Sequence, residues 1–463
     1  MSLQPSLSLS ASSLTQSLST KQKLGLSLVG IAALMQLIFW INFSVTHAWL
    51  ILWTSIVLAS IGTLWYIRET YHHQSLGIKN NSVWFTSLTN RGVWAWVLAI
   101  FLTGFYILLY WYPEYLGQGM NGTMNKGLIG LFDPFSMFLK GKPASQWFVY
   151  GAFYTLIIIL MGIKFIYKYR HNNYQIYRTL SVIFFQTAIA FILPEIMQSL
   201  NKPYNDLKNI WPLNYYFFLD WHMDELIKNG LFGYFILFWG ILSFLIFTPI
   251  LTYFFGKRWY CSWVCGCGGL AETAGDPFRH LSDRSIKAWK VERWIIHSVL
   301  AFVVIMTAAV LINRFTGFSN YILFNSYDLS KWYGFFIGTV FSGIIGVGFY
   351  PIMGSRVWCR FGCPMAAYLG ILQKVKSKFR ITTNGGQCIS CGNCSAYCEM
   401  GIDVKAYAQK GQDIVRSSCV GCGICSAVCP RGVLRLENGS VDINTRTNDL
   451  RTVHIKETEV KLF

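Results

Sequence analysis

The sequence predicts an all-α polytopic membrane domain followed by a small, cysteine-rich α+β domain. Two observations predict this fold class. Of the 463 residues, only 13% are charged and 53% are hydrophobic, whereas soluble proteins carry about 25% charged residues. In addition, all thirteen cysteines lie in the second half of the chain, so the two halves must differ in chemistry.

Eight apolar stretches are long enough to cross a bilayer core, which requires about 20 residues of helix. They lie near 24–43, 48–67, 93–112, 148–167, 177–197, 231–255, 294–313 and 332–353. An isolated apolar stretch could be a buried core helix, but so many of them indicate a membrane protein with about eight transmembrane helices.

The distribution of basic residues predicts the orientation. If the N-terminus is cytoplasmic, the inner segments hold sixteen lysines and arginines and the outer loops hold eight. Because basic residues accumulate on the cytoplasmic side, we expect both termini to be cytoplasmic. The same distribution explains the net charge of +18, so nucleic-acid binding is not expected.

The chain divides into five predicted segments. The first twenty residues are rich in serine and leucine and carry no charged side chain, which does not match a secretory signal. We therefore expect a disordered tail at 1–22. The other segments are N-terminal membrane helices at 23–230, a membrane core at 231–370, a cytoplasmic domain at 380–435 and a C-terminal tail at 436–463.

Two cysteine motifs indicate iron–sulfur clusters. The stretches "CISCGNCSAYCEMG" (388–401) and "CVGCGICSAVCPRG" (419–432) both have the spacing C-x2-C-x2-C-x3-C, which is typical of bacterial dicluster ferredoxins, where the fourth cysteine serves the other cluster. One [4Fe–4S] cluster is assigned Cys388, Cys391, Cys394 and Cys429, and the other Cys419, Cys422, Cys425 and Cys398. A structural zinc site usually needs only paired C-x2-C units, so zinc is disfavoured.

The turns and the end of this ferredoxin domain also have predicted roles. Gly392, Gly421 and Gly423 provide backbone freedom in the cysteine turns, since glycine tolerates positive φ. The stretch 433–443 alternates around Asn438-Gly439, which predicts a β-hairpin beside the clusters.

Two further cysteine pairs follow predicted membrane helices. "GKRWYCSWVC" (256–265) and "GSRVWCRFGC" (354–363) share the pattern G-x-R-x-aromatic-C-x3-C and lie 98 residues apart. Positions i and i+4 share one helical face, so each pair could present two thiols. The four thiols are those of Cys261, Cys265, Cys359 and Cys363, with Cys267 as a fifth.

Three interpretations of these membrane-edge thiols stay open at this point: a third iron–sulfur cluster, a redox-active thiol or copper site, or buried structural cysteines. Arg258 and Arg356 precede the pairs by three residues and could offset the charge of a cluster and lower the thiol pKa values. Cys267 could replace one of the four or stay free.

These motifs resemble the NosR/NapH-type membrane polyferredoxins, which include the cbb3 oxidase assembly factor CcoG. The resemblance covers about residues 230–430. It implies a multi-pass protein of the bacterial inner membrane that moves electrons between quinone or cytoplasmic carriers and periplasmic respiratory enzymes. For CcoG-like members it implies copper reduction. This chain departs from the family at Cys265-Gly266-Cys267, where Cys-Pro is usual, and it lacks the Ser/Thr-Gly-Ala-Thr pattern, so no covalent flavin is expected.

The remaining polar residues offer weaker signals. Glu114 in "WYPEY" and Glu195 in "ILPEI" could accept protons from quinol, although contact with interfacial water is the favoured interpretation. The stretch 211–230 is expected to be an interfacial amphipathic helix, with a quinol site or a docking surface as alternatives. His297 has no second histidine predicted at its depth, so haem is not expected.

The leading hypothesis is a membrane-bound electron-transfer protein, acting as the quinol dehydrogenase-like component of an oxidoreductase. Electrons would pass between the cytoplasmic clusters and a quinone or a periplasmic respiratory partner. Membrane lipid and cytoplasmic or periplasmic redox proteins are the expected partners. The alternatives are a copper-reducing assembly factor for a respiratory oxidase and a redox-sensing regulator.

Overall fold

The computed structural model of the chain describes residues 18–40, 47–71, 91–119, 123–317 and 325–439, with two short strands near the C-terminus. The predicted tail at 1–22 lies mainly outside these ranges. The first helix already begins at Thr20, inside the segment for which a tail was predicted.

Six helices in the described ranges are long and apolar enough to cross a membrane, so the chain is a multi-pass membrane protein. They are Ala48–Tyr71, Val93–Trp111, Gln146–Lys168, Asn173–Ser199, Gly230–Phe255 and Ile286–Thr316. Apolar side chains on their outer faces are exposed, as at Ile100, Phe238 and Ile305, and lipid is the solvent that suits such faces.

The sequence predicted eight spans, two more than the six that meet these criteria. The predicted spans at 24–43 and 332–353 do form helices, at Thr20–Trp40 and from Ser326 onward. The second of these begins with the polar segment Ser326–Tyr333 and is interrupted at Phe349.

Several membrane helices contain π-helical stretches. These are Phe185–Ile192, Ser243–Phe247 and Gly334–Ile345, and a further one at Trp358–Gly362 lies within the second C-x3-C motif. Such stretches are rare and often occur at functional sites. All four lie on elements that surround the membrane-edge cysteines.

Shorter helices connect the spans or lead from the last one to the C-terminal domain. They are Pro113–Leu116, Gly127–Leu131, Asp133–Lys140, Asp220–Lys228, Arg258–Cys261, Gly266–Thr273, Asp276–Leu281 and Pro364–Lys376. The helix predicted over 211–230 is therefore present only at Asp220–Lys228. Residues before it turn into the protein because Trp211 packs on Phe244, with ring centroids 4.4 Å apart.

Residues 200–219 form a re-entrant segment between two membrane helices. They form turns without regular helix, and Ile210 belongs to the same buried core as Tyr260 and Cys261. Irregular backbone between membrane helices is tolerated where it is buried in protein or lines a cavity, and this segment does both.

The C-terminal domain is a small α+β unit, which confirms the predicted fold class. The strands Phe379–Thr383 and Leu434–Asn438 pair antiparallel, with Phe379 opposite Asn438. Between them lie the helices Asn393–Ala396, Val404–Gln409 and Ile424–Ala427 and the turn Gly385–Gln387. The predicted hairpin keeps its first strand, but its second half lies outside the described residues. Further on, Ile455–Lys456 pairs with Glu459–Val460.

Candidate functional site

The fold groups the eight cysteines of the ferredoxin domain into two sets of four, each lining one small cavity. The first cavity is lined by Cys388, Cys391, Cys394 and Cys429, and the second by Cys398, Cys419, Cys422 and Cys425. Each cavity receives three cysteines from one motif and the fourth from the other, which is the arrangement that two [4Fe–4S] clusters require. The residues present therefore fit one cluster in each cavity.

Glycine residues shape the turns of both sets. Gly392 and Gly423 have φ values of +79° and +75° and directly precede the short helices that carry the third cysteine of each motif. Gly421 also has positive φ, at +64°. Because a side chain would strain this conformation, the predicted role of these glycines is consistent with the backbone.

The two C-x3-C motifs share one backbone conformation. Gly256 has a φ of +67° and a ψ of −173°, and Gly354 has a φ of +95° and a ψ of 168°. This combination of positive φ and extended ψ is open essentially to glycine alone. The amide of Cys265 donates to the carbonyl five residues earlier at 2.8 Å, and the amide of Cys363 does the same at 2.9 Å. The sequence repeat is therefore a structural repeat.

The two cysteines of a motif do not share a helical face, so that prediction was wrong. In the first motif the helical turn ends at Cys261, while Cys265 has an extended backbone and begins the helix Gly266–Thr273. Cys363 likewise precedes a new helix, because Pro364 disfavours helical backbone in the residue before it.

The four cysteines nevertheless converge. Cys261, Cys265, Cys359 and Cys363 are buried in one core cluster that continues into the ferredoxin domain. Burial raises the pKa of Cys261 to about 12 and also raises the pKa values of Cys359 and Cys363. Metal ions displace protons from such thiols and bind them as thiolates. The donor set fits a further iron–sulfur cluster.

The positive charges beside these thiols differ from the prediction. Arg356 lies among them, with Nη1 3.5 Å from the sulfur of Cys359. Arg258 instead donates to the ferredoxin domain, and Lys257 acts on Cys261 in its place. Arg356 lowers the pKa of both Cys261 and Cys359, as predicted, but burial outweighs the positive charges and leaves both pKa values raised.

Cys267 lies beside the other four thiols. The thiols of Cys265 and Cys267 act on each other, which lowers the pKa of Cys265 and raises that of Cys267. Cys267 is only partly buried, and both residues line a cavity in the membrane domain. Cys267 is therefore placed, with Cys265, to meet a molecule in that cavity.

A buried acid of the ferredoxin domain contacts the membrane domain. The carboxylate of Glu399 accepts a hydrogen bond from Arg279 at 2.7 Å and forms an ion pair with Arg356 at 2.9 Å, and its backbone carbonyl accepts from Ser282 at 2.7 Å. Burial alone would raise the pKa of Glu399, but the two guanidinium groups outweigh it and lower this pKa. Glu399 thus links Arg356 of the second C-x3-C motif to the ferredoxin domain.

A second buried acid joins the first motif to the same network. Glu272 pairs with Arg178 and Arg356 and accepts from the hydroxyl of Ser262 at 3.2 Å. The Ser262 hydroxyl lies 2.9 Å from the carbonyl of Val420, next to a predicted cluster ligand. Arg356 therefore bridges Glu272 and Glu399, and the network holds the ferredoxin domain against both motifs.

The network continues to Asp276. Its carboxylate lies 2.5 Å from the ammonium of Lys168 and accepts from Arg279 at 2.8 Å. Burial disfavours the charged carboxylate, but the two cations outweigh burial and hold the pKa of Asp276 well below its usual range.

Further contacts fix the second cysteine set against the membrane domain. The hydroxyl of Tyr174 donates to the carbonyl of Gly421 at 3.0 Å, and the side-chain amide of Gln175 donates to the carbonyl of Cys422 at 2.9 Å. Both donors lie in the first turn of the helix Asn173–Ser199. This set is therefore the one nearest to the membrane helices.

A cavity of about 820 Å³ lies within the membrane domain. Cys265 and Cys267 line one end of it, and the buried residues Glu195 and Lys140 line another part, together with the exposed Trp221. Ligand cavities of roughly 300–1,000 Å³ with a few convergent polar groups are typical of small-molecule sites. The cavity thus connects the membrane-edge thiols to a partly exposed rim.

The helix Asn173–Ser199 contacts the ferredoxin domain, the first C-x3-C motif and the cavity in this order along its length. Gln175 contacts the ferredoxin domain, Gln186 lies eleven residues later against Gly266, and Glu195 follows after nine more. At 1.5 Å per residue these steps are about 16 Å and about 14 Å. The first C-x3-C motif therefore lies between the ferredoxin domain and the far part of the cavity along this helix.

Sequence reasoning missed three polar residues of the cavity. Gln186, Asp206 and Lys208 line it, and the charge of Lys208 acts on Cys265. Gln186 is a polar residue within an apolar span, and this break in the apolar pattern could have identified it as a site residue from the sequence. Asp206 and Lys208 belong to the re-entrant segment, which sequence reasoning treated as an outer loop.

Comparisons with known proteins support iron–sulfur clusters of the 4Fe–4S type. A family model described as a 4Fe-4S dicluster domain matches residues 387–434, and a model described as a 4Fe-4S binding domain matches residues 237–285 and 333–382. The second model thus matches once at each C-x3-C motif. Neither description is that of the NosR/NapH family, so that finer resemblance stays a prediction.

A known relative also supports a role in electron transfer. The chain is 26% identical over 182 residues to YccM of Escherichia coli (strain K12), whose name describes an electron transport protein. The alignment covers 36% of this chain and 47% of YccM, so the chain matches about half the length of that relative. No solved structure matches. Together with the membrane helices, these findings support a membrane iron–sulfur protein with a role in electron transfer.

Proposed function

We propose that the chain transfers electrons between its ferredoxin-type clusters and a quinone bound in the membrane cavity. A third [4Fe–4S] cluster, held by Cys261, Cys265, Cys359 and Cys363, lies between the two. The two ferredoxin clusters take the ligand sets assigned from the spacing. Each cluster, when bound, supplies one-electron transfer.

The order of sites along one helix carries this proposal. The helix Asn173–Ser199 contacts the second ferredoxin set at its start, the first C-x3-C motif at its middle and the cavity along its second half. An electron carrier needs such a series of sites. Thirteen cysteines that only stored metal or stabilised the fold would not need such a series of sites.

The residues around the centres have distinct roles in this proposal. Arg356 and Lys257 place positive charge beside the thiolates of the twin motifs, which offsets the negative charge of a cluster. The cavity offers aromatic walls from Tyr154 and Trp221 and a polar amide from Gln186, a lining suited to an aromatic ring that carries carbonyl groups.

A single-turnover experiment tests the quinone site. Protein reduced with dithionite and freed of excess reductant is mixed with a soluble quinone, and the cluster absorbance is followed. Ala190 lines the cavity, so we expect Ala190→Trp to slow oxidation strongly. Leu180 lies on the same helix and is 48% exposed, so Leu180→Trp is the matched control. Equal rates in both variants would contradict the cavity as the quinone site.

A soluble redox protein is the proposed partner on the other side. Cys391 and the neighbouring Ile389 are exposed, which gives the first cluster a face open to a partner. Arg431 lines the same cavity and is exposed, so the surface favours an acidic carrier. Salt should slow electron exchange with such a carrier, and a rate independent of salt would argue against this surface.

One observation favours copper chemistry as a second candidate function. Cys265 and Cys267 are separated by one residue and both line the cavity, and thiolates select copper(I). Copper(I) titration with a competing chelator distinguishes copper chemistry from electron transfer to a quinone. Binding that is lost in Cys267→Ser but kept in Cys388→Ser would support copper, and no binding in the wild type would exclude it.

A further inference from the structure

The two Pro-Glu motifs have different environments in the structure. Glu114 lies in a short helix after a membrane span and is exposed. Glu195 is 4% exposed and lines the cavity. Contact with interfacial water, expected for both, therefore fits only Glu114.

Glu195 forms a buried ion pair on the cavity wall. Its carboxylate lies 3.0 Å from the ammonium of Lys140, and both side chains are 6% exposed. Lys140 ends the helix Asp133–Lys140 and also lies over the ring of Phe148. Ionisable groups inside the membrane region are costly and usually serve a function.

A second ion pair lies nearer to the thiols. In the re-entrant segment, the carboxylate of Asp206 lies 3.6 Å from the ammonium of Lys208. Both residues line the same cavity. The backbone carbonyl of Lys208 accepts from the hydroxyl of Tyr260 at 2.8 Å, which fixes the segment beside the first motif. Carboxylates are thus present both beside the cysteine end of the cavity and farther from it.

We propose that Glu195, paired with Lys140, is the proton-exchanging residue of the cavity. This inference rests on the proposed quinone site. Reduction of one quinone consumes two electrons and two protons and forms two O–H bonds. The reduced iron–sulfur clusters supply the electrons. Glu195 passes the protons from the exposed rim, and Asp206 is placed to pass them on. In quinol oxidation the same residues accept the protons.

The test compares quinone with an acceptor that takes no protons. Protein variants reduced with dithionite are mixed either with a soluble quinone or with ferricyanide, in H2O and in D2O. Loss of a general acid or base slows proton transfer by a factor of about 100 or more. We expect Glu195→Gln to slow quinone reduction by about this factor, to increase the solvent isotope effect and to leave the ferricyanide reaction unchanged.

Matched variants separate proton exchange from structure. Glu114→Gln should behave as the wild type, and Glu195→Asp should retain part of the rate. Since Glu195→Gln leaves a buried cation unpaired, the double variant Glu195→Gln/Lys140→Met removes both charges, a change that buried pairs often tolerate. A double variant that stays slow supports the inference, whereas one that recovers the wild-type rate overturns it.

The outcomes also separate this inference from the proposed function. If wild-type protein reduces the quinone and Glu195→Gln is equally fast, the proton role is wrong and the quinone site stands. If wild-type protein does not reduce the quinone at all, the proposed function and this inference both fail.

Discussion

Replacement of Glu399 by glutamine should loosen the ferredoxin domain from the membrane domain. The Glu399 carboxylate is fully buried and pairs with Arg279 at 2.7 Å and Arg356 at 2.9 Å. Removal of one partner of a buried ion pair costs about 3–5 kcal/mol. At about 1.4 kcal/mol per factor of ten, the equilibrium for local opening should shift by a factor of roughly 10²–10⁴.

Amide hydrogen exchange measures this opening directly. We expect faster exchange in the variant for the peptides around 279–285 and 419–425, which lie on the two sides of the contact. A matched control is Asp224→Asn, because Asp224 accepts from Arg314 at a similar distance of 2.8 Å but is 52% exposed. Exposed pairs contribute about 0–1 kcal/mol. If Glu399→Gln changed exchange no more than the control, the network would not hold the two domains together.

Three further predictions follow from single sites. Cys267→Ser should leave the iron content unchanged, because four other thiols form the converging set, and a loss of about four irons would make Cys267 a ligand. Gly256→Ala should destabilise the first motif by about 1–3 kcal/mol, and thermal melts should show a smaller effect for alanine at Gly30, where a Cβ would meet nothing within 4 Å. Because the pKa of Asp276 is lowered in the folded protein, its stabilisation should be complete above about pH 4 and decrease as the pH falls further. Acid unfolding of Asp276→Asn should therefore show a weaker pH dependence between about pH 4 and pH 2, and an unchanged pH dependence would contradict the network.

The ferredoxin domain was the most predictable part of the fold. Its cysteine spacing is a local pattern whose chemistry needs one backbone shape, and the turns at Gly392 and Gly423 have that shape. The 98-residue repeat also predicted two equivalent motifs, and Gly256 and Gly354 share the same unusual backbone angles.

The site in the membrane was less predictable because its contacts are long-range. The pairing of Glu399 with Arg356 joins two parts of the chain through tertiary packing alone. No local pattern shows that residues 200–219 turn inward to place Lys208 near Cys265. Burial also outweighs the lowering that arginine exerts on the thiol pKa values, and burial at a given residue depends on the whole fold.

We propose that the twin C-x3-C motifs hold a third cluster between the ferredoxin domain and the cavity. Iron and acid-labile sulfide per chain, measured on anaerobically purified protein beside low-temperature EPR of the reduced sample, test it most directly. About twelve irons in the wild type and about eight in Cys359→Ser are expected for three [4Fe–4S] clusters. About eight irons in both proteins would leave these thiols without a cluster and contradict the account.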